Sequence, residues 1–163
     1  MVSNSEKIFS EPNLEKGGIM LSGLFQTQNQ KLVARWRNEH EKIVELAHRA
    51  VAEYVKGNEK KAKKYLRALS GIAADHLADE EIEFYKMLSD PERNDRKTRD
   101  EVEIFQQSFK EVKPSLMKFL ARYSRRDEPL DEQFIDTFNH IIEILGERIA
   151  FEENHLYFRM SLG

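Results

Sequence analysis

Apolar side chains recur along the chain at intervals of three and four residues, in segments separated by breaks rich in Gly, Pro and Asp. This spacing is the period of an α-helix that buries one face. We predict helices over residues 25–56, 59–89, 98–124 and 131–160. Pro114 falls inside the third segment, where a proline either bends a helix or splits it in two. No segment shows the alternation of a half-buried strand, so the pattern predicts an all-α fold, an up-down antiparallel four-helix bundle.

The first residues of the chain lack this periodic pattern. Residues 1–24 mix Ser, Asn, Glu and Gly, and the apolar run from Ile19 to Leu21 is too short for a signal peptide. We therefore expect a loosely ordered arm over residues 1–24 and a single helical domain over residues 25–163. No other stretch approaches the roughly 18 unbroken apolar residues of a membrane span. These features predict a cytoplasmic protein with no membrane partner.

Composition narrows the chemistry that the chain can perform. The 26 Lys and Arg residues are outnumbered by 29 Asp and Glu, so there is no basic excess with which to bind nucleic acid. The absence of Cys excludes thiolate catalysis, Cys-ligated zinc and iron–sulfur clusters, and leaves His, carboxylates and Tyr as metal ligands. There is no Gly-rich phosphate loop, nucleophile elbow or dinucleotide fingerprint. We therefore expect a protein that is not an enzyme.

Several ionisable side chains lie on the predicted inward faces of the helices. These candidate site residues are His40, His76, Glu80 and Glu152. His140 lies opposite the apolar stripe and His155 lies at its edge, so both are predicted to be surface residues. Glutamate is almost never fully buried unless it is paired, because an unpaired carboxylate loses its hydration. Two inward carboxylates therefore need either a bound cation or an internal salt bridge, and the sequence leaves both alternatives open.

A weak internal repeat links two of the predicted helices. Residues 76–87 and 148–159 share the pattern [His/Arg]-[Leu/Ile]-Ala-x-Glu-Glu-x-x-[Phe/Leu]-Tyr. In the first copy, His76 and Glu80 are four residues apart, so they project side by side and can chelate one ion. In the second copy, Arg148 stands where His76 stands in the first. Glu152-x-x-His155 also mimics the Glu-x-x-His of ferritin-like di-iron bundles, but a partner copy is absent.

With these motifs, the sequence resembles the bacterial hemerythrin-like, or HHE cation-binding, family. The resemblance covers roughly residues 25 to 162 and rests on the segments around His40, His76-x-x-x-Glu80 and Glu152. It implies a four-helix bundle with a non-haem di-iron centre that serves oxygen binding, or the sensing of oxygen, nitric oxide or iron. By motif position, it implies that His40, His76, Glu80 and Glu152 are the metal ligands.

The chain departs from the pattern of fully equipped members of that family in two ways. Such members also take His from the third helix, which contains none here, and they have His where this chain has Arg148. A guanidinium cannot ligate a cation and carries its own positive charge. We therefore expect Arg148 to lie beside the ligands, where it would replace a second ion by pairing with Glu80 or Glu152. Only four candidate ligands remain, which suits one metal ion better than two, although the sequence leaves the number open. Reversible oxygen carriage of the hemerythrin kind therefore becomes doubtful.

A second, shorter resemblance indicates a different class of function. Leu32-Val33-Ala34-Arg35-Trp36 and the Glu- and Arg-rich end of the fourth helix are similar to the regulator-of-sigma-D/AlgQ proteins, which are helical bundles that bind a sigma factor. This resemblance implies a metal-free bundle that works as a protein-interaction or regulatory module. A protein partner therefore stands as the alternative to a metal ion with oxygen or nitric oxide.

Overall fold

The computed structural model describes residues 26–90, 92 and 95–162, so the expected N-terminal arm over residues 1–24 lies outside the described part of the chain. The structure confirms the all-α prediction, because none of the described residues lies in a strand. The α-helices are α1 (Gln28–Val55), α2 (Glu59–Ser89), α3 (Arg96–Ser108), α4 (Val112–Tyr123), α5 (Glu132–Phe151) and α6 (Tyr157–Leu162). A π-helical turn, Glu152–Leu156, joins α5 to α6. The four legs of the bundle are α1, α2, α3 with α4, and α5 with α6.

Side-chain caps determine where three of these helices begin. Thr27 and Gln30 form a capping box at the start of α1, in which each side chain bonds the other residue's backbone N–H. The Asp95 carboxylate accepts from the Thr98 N–H at the start of α3, and Asp131 caps α5 in the same way. These caps satisfy backbone N–H groups that have no partner within the helix.

The third leg of the bundle is split rather than bent. α3 ends at Ser108 and α4 begins at Val112, so Pro114 lies in the first turn of α4. In a continuous helix, Pro114 could not donate to the Lys110 carbonyl and its ring would clash with it. In the first turn of a new helix its missing N–H costs nothing, because no partner exists there. Of the two possibilities left open by the sequence, the structure therefore has the split helix.

The apolar core consists of two clusters separated by a layer of polar side chains. Along α1, Trp36 belongs to one cluster and Ile43 to the other, with His40 between them. α2 crosses the same boundary, and so does the leg formed by α5, the π turn and α6, with Glu80 and Glu152 in the polar layer. The buried ionisable groups are therefore surrounded by hydrocarbon on both sides, which is the environment in which an unpaired charge is most costly.

None of the helices within the described residues is long and apolar enough to cross a membrane.

Lys63 is buried, although the other lysines of the basic run at residues 60–64 are exposed. Its side chain is buried, and its ammonium group donates to the backbone carbonyls of Arg125, Arg126 and Glu128 in the connection between α4 and α5. Glu59 lies 3.0 Å from the same nitrogen. Because these carbonyls come from residues more than sixty positions away in sequence, the pattern of the run itself gave no indication of this contact.

Replacing Lys63 with methionine is expected to destabilise the protein by about 1–3 kcal/mol, because loop carbonyls lose a charged donor that holds them in place. The matched control is Lys64→Met, since Lys64 is exposed in the same basic run. Urea unfolding of the two variants and the wild type measures the difference. Equal urea midpoints for the two variants would show that water replaces the Lys63 ammonium group as donor to the loop carbonyls at no cost in stability.

Candidate metal centre

The structure brings the four candidate site residues together in the polar layer. His40 comes from α1, His76 and Glu80 come from α2, and Glu152 begins the π turn. One ligand atom from each residue lies within 4.8 Å of the ligand atoms of all the others, and all four side chains are buried. The four side chains therefore converge at one buried location, while their role as metal ligands stays a prediction. His140 and His155 are exposed, as expected.

Both histidines are oriented by carboxylates at the edge of the site. His40 Nδ1 lies 2.8 Å from Glu153 Oε1, and His76 Nδ1 lies 2.8 Å from Glu39 Oε2. A carboxylate only accepts hydrogen bonds, so each Nδ1 carries a proton and donates it. Each Nε2 then points inward, and the two Nε2 atoms are only 2.9 Å apart. Two lone pairs at that distance repel each other unless a proton or a metal cation lies between them.

Arg148 pairs with both carboxylates of the site. Its Nε lies 2.6 Å from Glu152 Oε1, and its Nη2 lies 2.9 Å from Glu80 Oε2. The guanidinium is buried and stacks over the Phe105 ring, with 4.7 Å between its central carbon and the ring centroid. The sequence-based expectation that Arg148 lies beside the ligands therefore agrees with the structure.

Tyr157 is a site residue that the sequence analysis missed. Its hydroxyl donates to Glu80 Oε1 and lies 3.3 Å from His40 Nε2. The π turn explains its position, because the Tyr157 N–H bonds the Glu152 carbonyl five residues earlier instead of four. In the regular helix α2, the repeat-equivalent Tyr85 is 70% exposed, whereas Tyr157 is fully buried. The extra residue in the turn rotates Tyr157 onto the face of Glu152.

Burial and mutual charge shift the protonation of the site. Burial, together with the charge of Glu152, raises the pKa of Glu80 to about 7. Burial alone would lower the pKa of His40, but the hydrogen bond and charge of Glu152 raise it above its usual value overall. Burial lowers the pKa of His76, and burial also raises the pKa of the Tyr157 phenol. Without a metal, His40 is therefore the imidazole that takes the extra proton.

The donor set fits a metal cation. Glu152 Oε2 is fully buried, and it has no hydrogen-bond donor while His40 is neutral, because the His40 Nε2 that lies 3.0 Å away then carries no proton. A buried carboxylate oxygen without a partner is costly, and a cation between it and the inward Nε2 atoms would satisfy all of them. Two imidazole nitrogens and two carboxylate oxygens suit iron, zinc and manganese. The available ligand atoms are Nε2 of His40, Nε2 of His76, Oε1 of Glu80 and Oε2 of Glu152.

The fold and the site together define a helical bundle with a buried His and Glu cluster that fits a metal-binding role. The family model of the hemerythrin HHE cation-binding domain matches residues 31–159. The chain therefore belongs to this family, as the sequence resemblance predicted. Comparison with curated proteins and comparison with solved structures each returned no match.

Removing either orienting carboxylate, by Glu39→Ala or Glu153→Ala, is expected to weaken metal binding about 10- to 100-fold. Each change leaves the ligand atoms in place but removes the acceptor that holds one Nδ1 proton. Glu41→Ala is the matched control, because Glu41 is exposed on the same helix as Glu39. Calorimetric titration with Co²⁺ measures all three variants. Affinities equal to that of the control would mean that the two carboxylates do not support the ligands.

Proposed function

We propose that this protein binds non-haem iron at the centre formed by His40, His76, Glu80 and Glu152, and that it serves to bind or sense oxygen, nitric oxide or iron. The observation that supports this proposal most directly is the pair of inward Nε2 atoms, 2.9 Å apart, beside an unpartnered carboxylate oxygen. That arrangement needs a positive charge among these atoms, which either a proton on His40 or a metal cation can supply, and a metal cation would contact both Nε2 atoms and the carboxylate oxygen at once. Membership of the HHE family supports the same conclusion.

The residues around the centre have separate tasks under this proposal. His40 and His76 are held in one tautomer by Glu153 and Glu39, so their Nε2 lone pairs are available without rearrangement. The apolar clusters above and below the centre exclude water from it. A bound iron would supply a position at which oxygen or nitric oxide can coordinate. We propose that the centre binds or senses its ligand and does not catalyse a reaction.

A metal-free regulatory module, such as one of the regulator-of-sigma-D/AlgQ type, is the second candidate. The observation in its favour is Arg148, which already pairs with Glu80 and Glu152 and neutralises part of their charge. A proton shared by His40 and His76 would complete a stable core without any ion. The function would then lie on the surface of the bundle, in contact with a protein partner.

The decisive test is the metal content of protein purified without a nickel column and without chelator. The protein is then loaded with Fe²⁺ under anaerobic conditions, separated from free iron by gel filtration and analysed for metal. Retained iron that changes its optical and EPR spectra when nitric oxide is added is the expected result. Failure to retain Fe²⁺, Mn²⁺ or Zn²⁺ would contradict the proposal and favour the metal-free module.

Metal affinity is expected to fall about 10- to 100-fold between pH 8 and pH 6, because Glu80, whose pKa is raised to about 7, takes up a proton in this range and a ligand must be unprotonated. The raised pKa of His40 acts in the same direction. The metal-free protein should show the opposite trend in stability. The pKa of Glu80 is raised from its usual 4.5 to about 7, so the folded state binds more protons and loses stability as pH rises through this window.

Titration calorimetry across this pH range measures the affinity, and thermal unfolding of chelator-treated protein measures the stability. Both trends should weaken in Glu80→Gln, which removes one of the two titrating groups. A metal affinity that does not change with pH would show that neither group is a ligand.

A further inference from the structure

We propose that the centre holds one metal ion rather than two, and that the guanidinium of Arg148 occupies the place of the second cation. This inference rests on the proposed metal binding and concerns the same site. The supporting observation is that each of the two buried carboxylates directs one oxygen to Arg148 and the other to a histidine.

Each carboxylate gives one oxygen to Arg148 and directs the other toward the imidazoles. Glu80 Oε2 and Glu152 Oε1 lie 2.9 and 2.6 Å from guanidinium nitrogens. Glu80 Oε1 lies 3.5 Å from His76 Nε2, and Glu152 Oε2 lies 3.0 Å from His40 Nε2. The carboxylates therefore bridge two positions, one of which already contains a cationic group. The remaining ligand atoms, two nitrogens and two oxygens, form a set for a single ion.

Arg148 is held firmly in this position. Its bonds to the two carboxylates use the planar, forked geometry that distinguishes Arg from Lys. Glu152 is four residues further along, so Arg148 and Glu152 lie on the same helical face. The Phe105 ring covers one face of the guanidinium. A second ion would have to displace a side chain that is buried, stacked and paired at the same time.

The surroundings of Arg148 are unfavourable for a second ion. Beyond the guanidinium lies a cavity of about 250 Å³ that Arg148 helps to line. Its apolar wall is formed by Leu77, Phe84, Phe105 and Phe109. Lys110 and Lys113 add positive charge, and Lys113 pairs with the carboxylate of Glu81. Glu81 and Gln106 also line this cavity, but the Glu81 carboxylate is already paired with Lys113. An ion on this side would compete with a lysine for that carboxylate, whereas the guanidinium needs only Glu80 and Glu152.

The test is a titration of metal-free protein with Co²⁺, in which the wild type is compared with Arg148→His and Arg148→Lys. The histidine variant removes the fixed charge and adds an imidazole in the register of His76 and Glu80. The lysine variant keeps the charge and serves as the matched control. Ions per chain are measured by metal analysis, and the cobalt EPR signal separates isolated ions from coupled pairs. Circular dichroism checks that each variant is folded.

We expect about one isolated Co²⁺ per chain for the wild type and the lysine variant, and about two for the histidine variant, with a loss of EPR intensity per cobalt from coupling. Two ions in the wild type would overturn the inference, and so would one ion in a folded histidine variant. If the histidine variant does not fold, the wild-type stoichiometry and EPR signal decide between one ion and two. No bound ion in any folded protein would instead refute the proposed metal binding itself.

Discussion

Glu152→Gln is expected to lower the affinity for a divalent metal ion by at least about 100-fold, more than the loss of an orienting carboxylate. The amide has nearly the same shape but lacks the negative charge, and the unpartnered Oε2 is the atom best placed to receive a cation. The effect is large because the surrounding clusters are apolar, and a low-dielectric interior strengthens the attraction between the carboxylate and the ion. Titration calorimetry with Co²⁺ or anaerobic Fe²⁺ measures the loss.

Glu147→Gln is the matched control for this change. Glu147 lies on α5, which leads into the π turn that carries Glu152, and it is exposed, so its replacement alters the net charge equally without touching the site. Metal affinity should be unchanged in the control. If Glu152→Gln binds metal as tightly as the control does, the ion is bound elsewhere and the four-residue centre is wrong.

Arg148→Met is expected to destabilise the metal-free protein by about 3–5 kcal/mol, the range found when one partner of a buried ion pair is removed. The change leaves Glu80 and Glu152 facing each other in the core without a cation. Domains of this size are stable by only about 5–15 kcal/mol, so a loss of this size is a large part of the total. Urea unfolding in the presence of a chelator measures the free energy of unfolding for both proteins.

Arg49→Met provides the comparison for Arg148→Met. Arg49 also pairs with a glutamate four residues away, Glu45, but both side chains are more than half exposed. Its replacement should change the free energy of unfolding little, because water screens the pair and replaces it readily. If the two variants are equally stable, the buried carboxylates are neutral in the folded protein and Arg148 is not their main partner.

The two variants also respond differently to added metal. Arg148→Met keeps every proposed ligand, so a divalent cation should recover part of its lost stability by mass action. Glu152→Gln lacks a ligand and should gain little from the same addition. This contrast distinguishes the loss of the Arg148 guanidinium from the loss of a metal ligand. Stability measurements on the metal-free proteins alone do not distinguish the two.

The periodicity of the sequence was sufficient to predict the helical legs and the burial of the site residues. The side of a helix on which a residue lies is a local property, determined by 100° of rotation per residue. His40, His76 and Glu80 lie within regular helix, and Glu152 directly follows one. Their faces could therefore be assigned without knowledge of the neighbouring helices. The same reasoning placed Arg148 beside the carboxylates, because it lies one turn before Glu152.

Residues outside the regular helical phase could not be predicted in this way. Tyr157 reaches the site only because the π turn adds a residue to the helix. The amino-acid sequence of this turn does not reveal that its backbone N–H groups bond five residues back instead of four. Alignment of Tyr85 with Tyr157 in the internal repeat was the one available hint. Glu39 and Glu153 lie on helix flanks, and their partners are histidines on other helices.

The sequence by itself determined the helical class of the protein, the family to which it belongs and the faces on which the buried His and Glu residues lie. These properties depend on local periodicity and on motifs within single helices. Only the tertiary structure decided which oxygen of Glu80 and Glu152 faces Arg148 and which faces the histidines. The reason is physical: such pairings depend on distances between atoms of different helices, which are set by packing of the whole bundle and not by spacing along the chain.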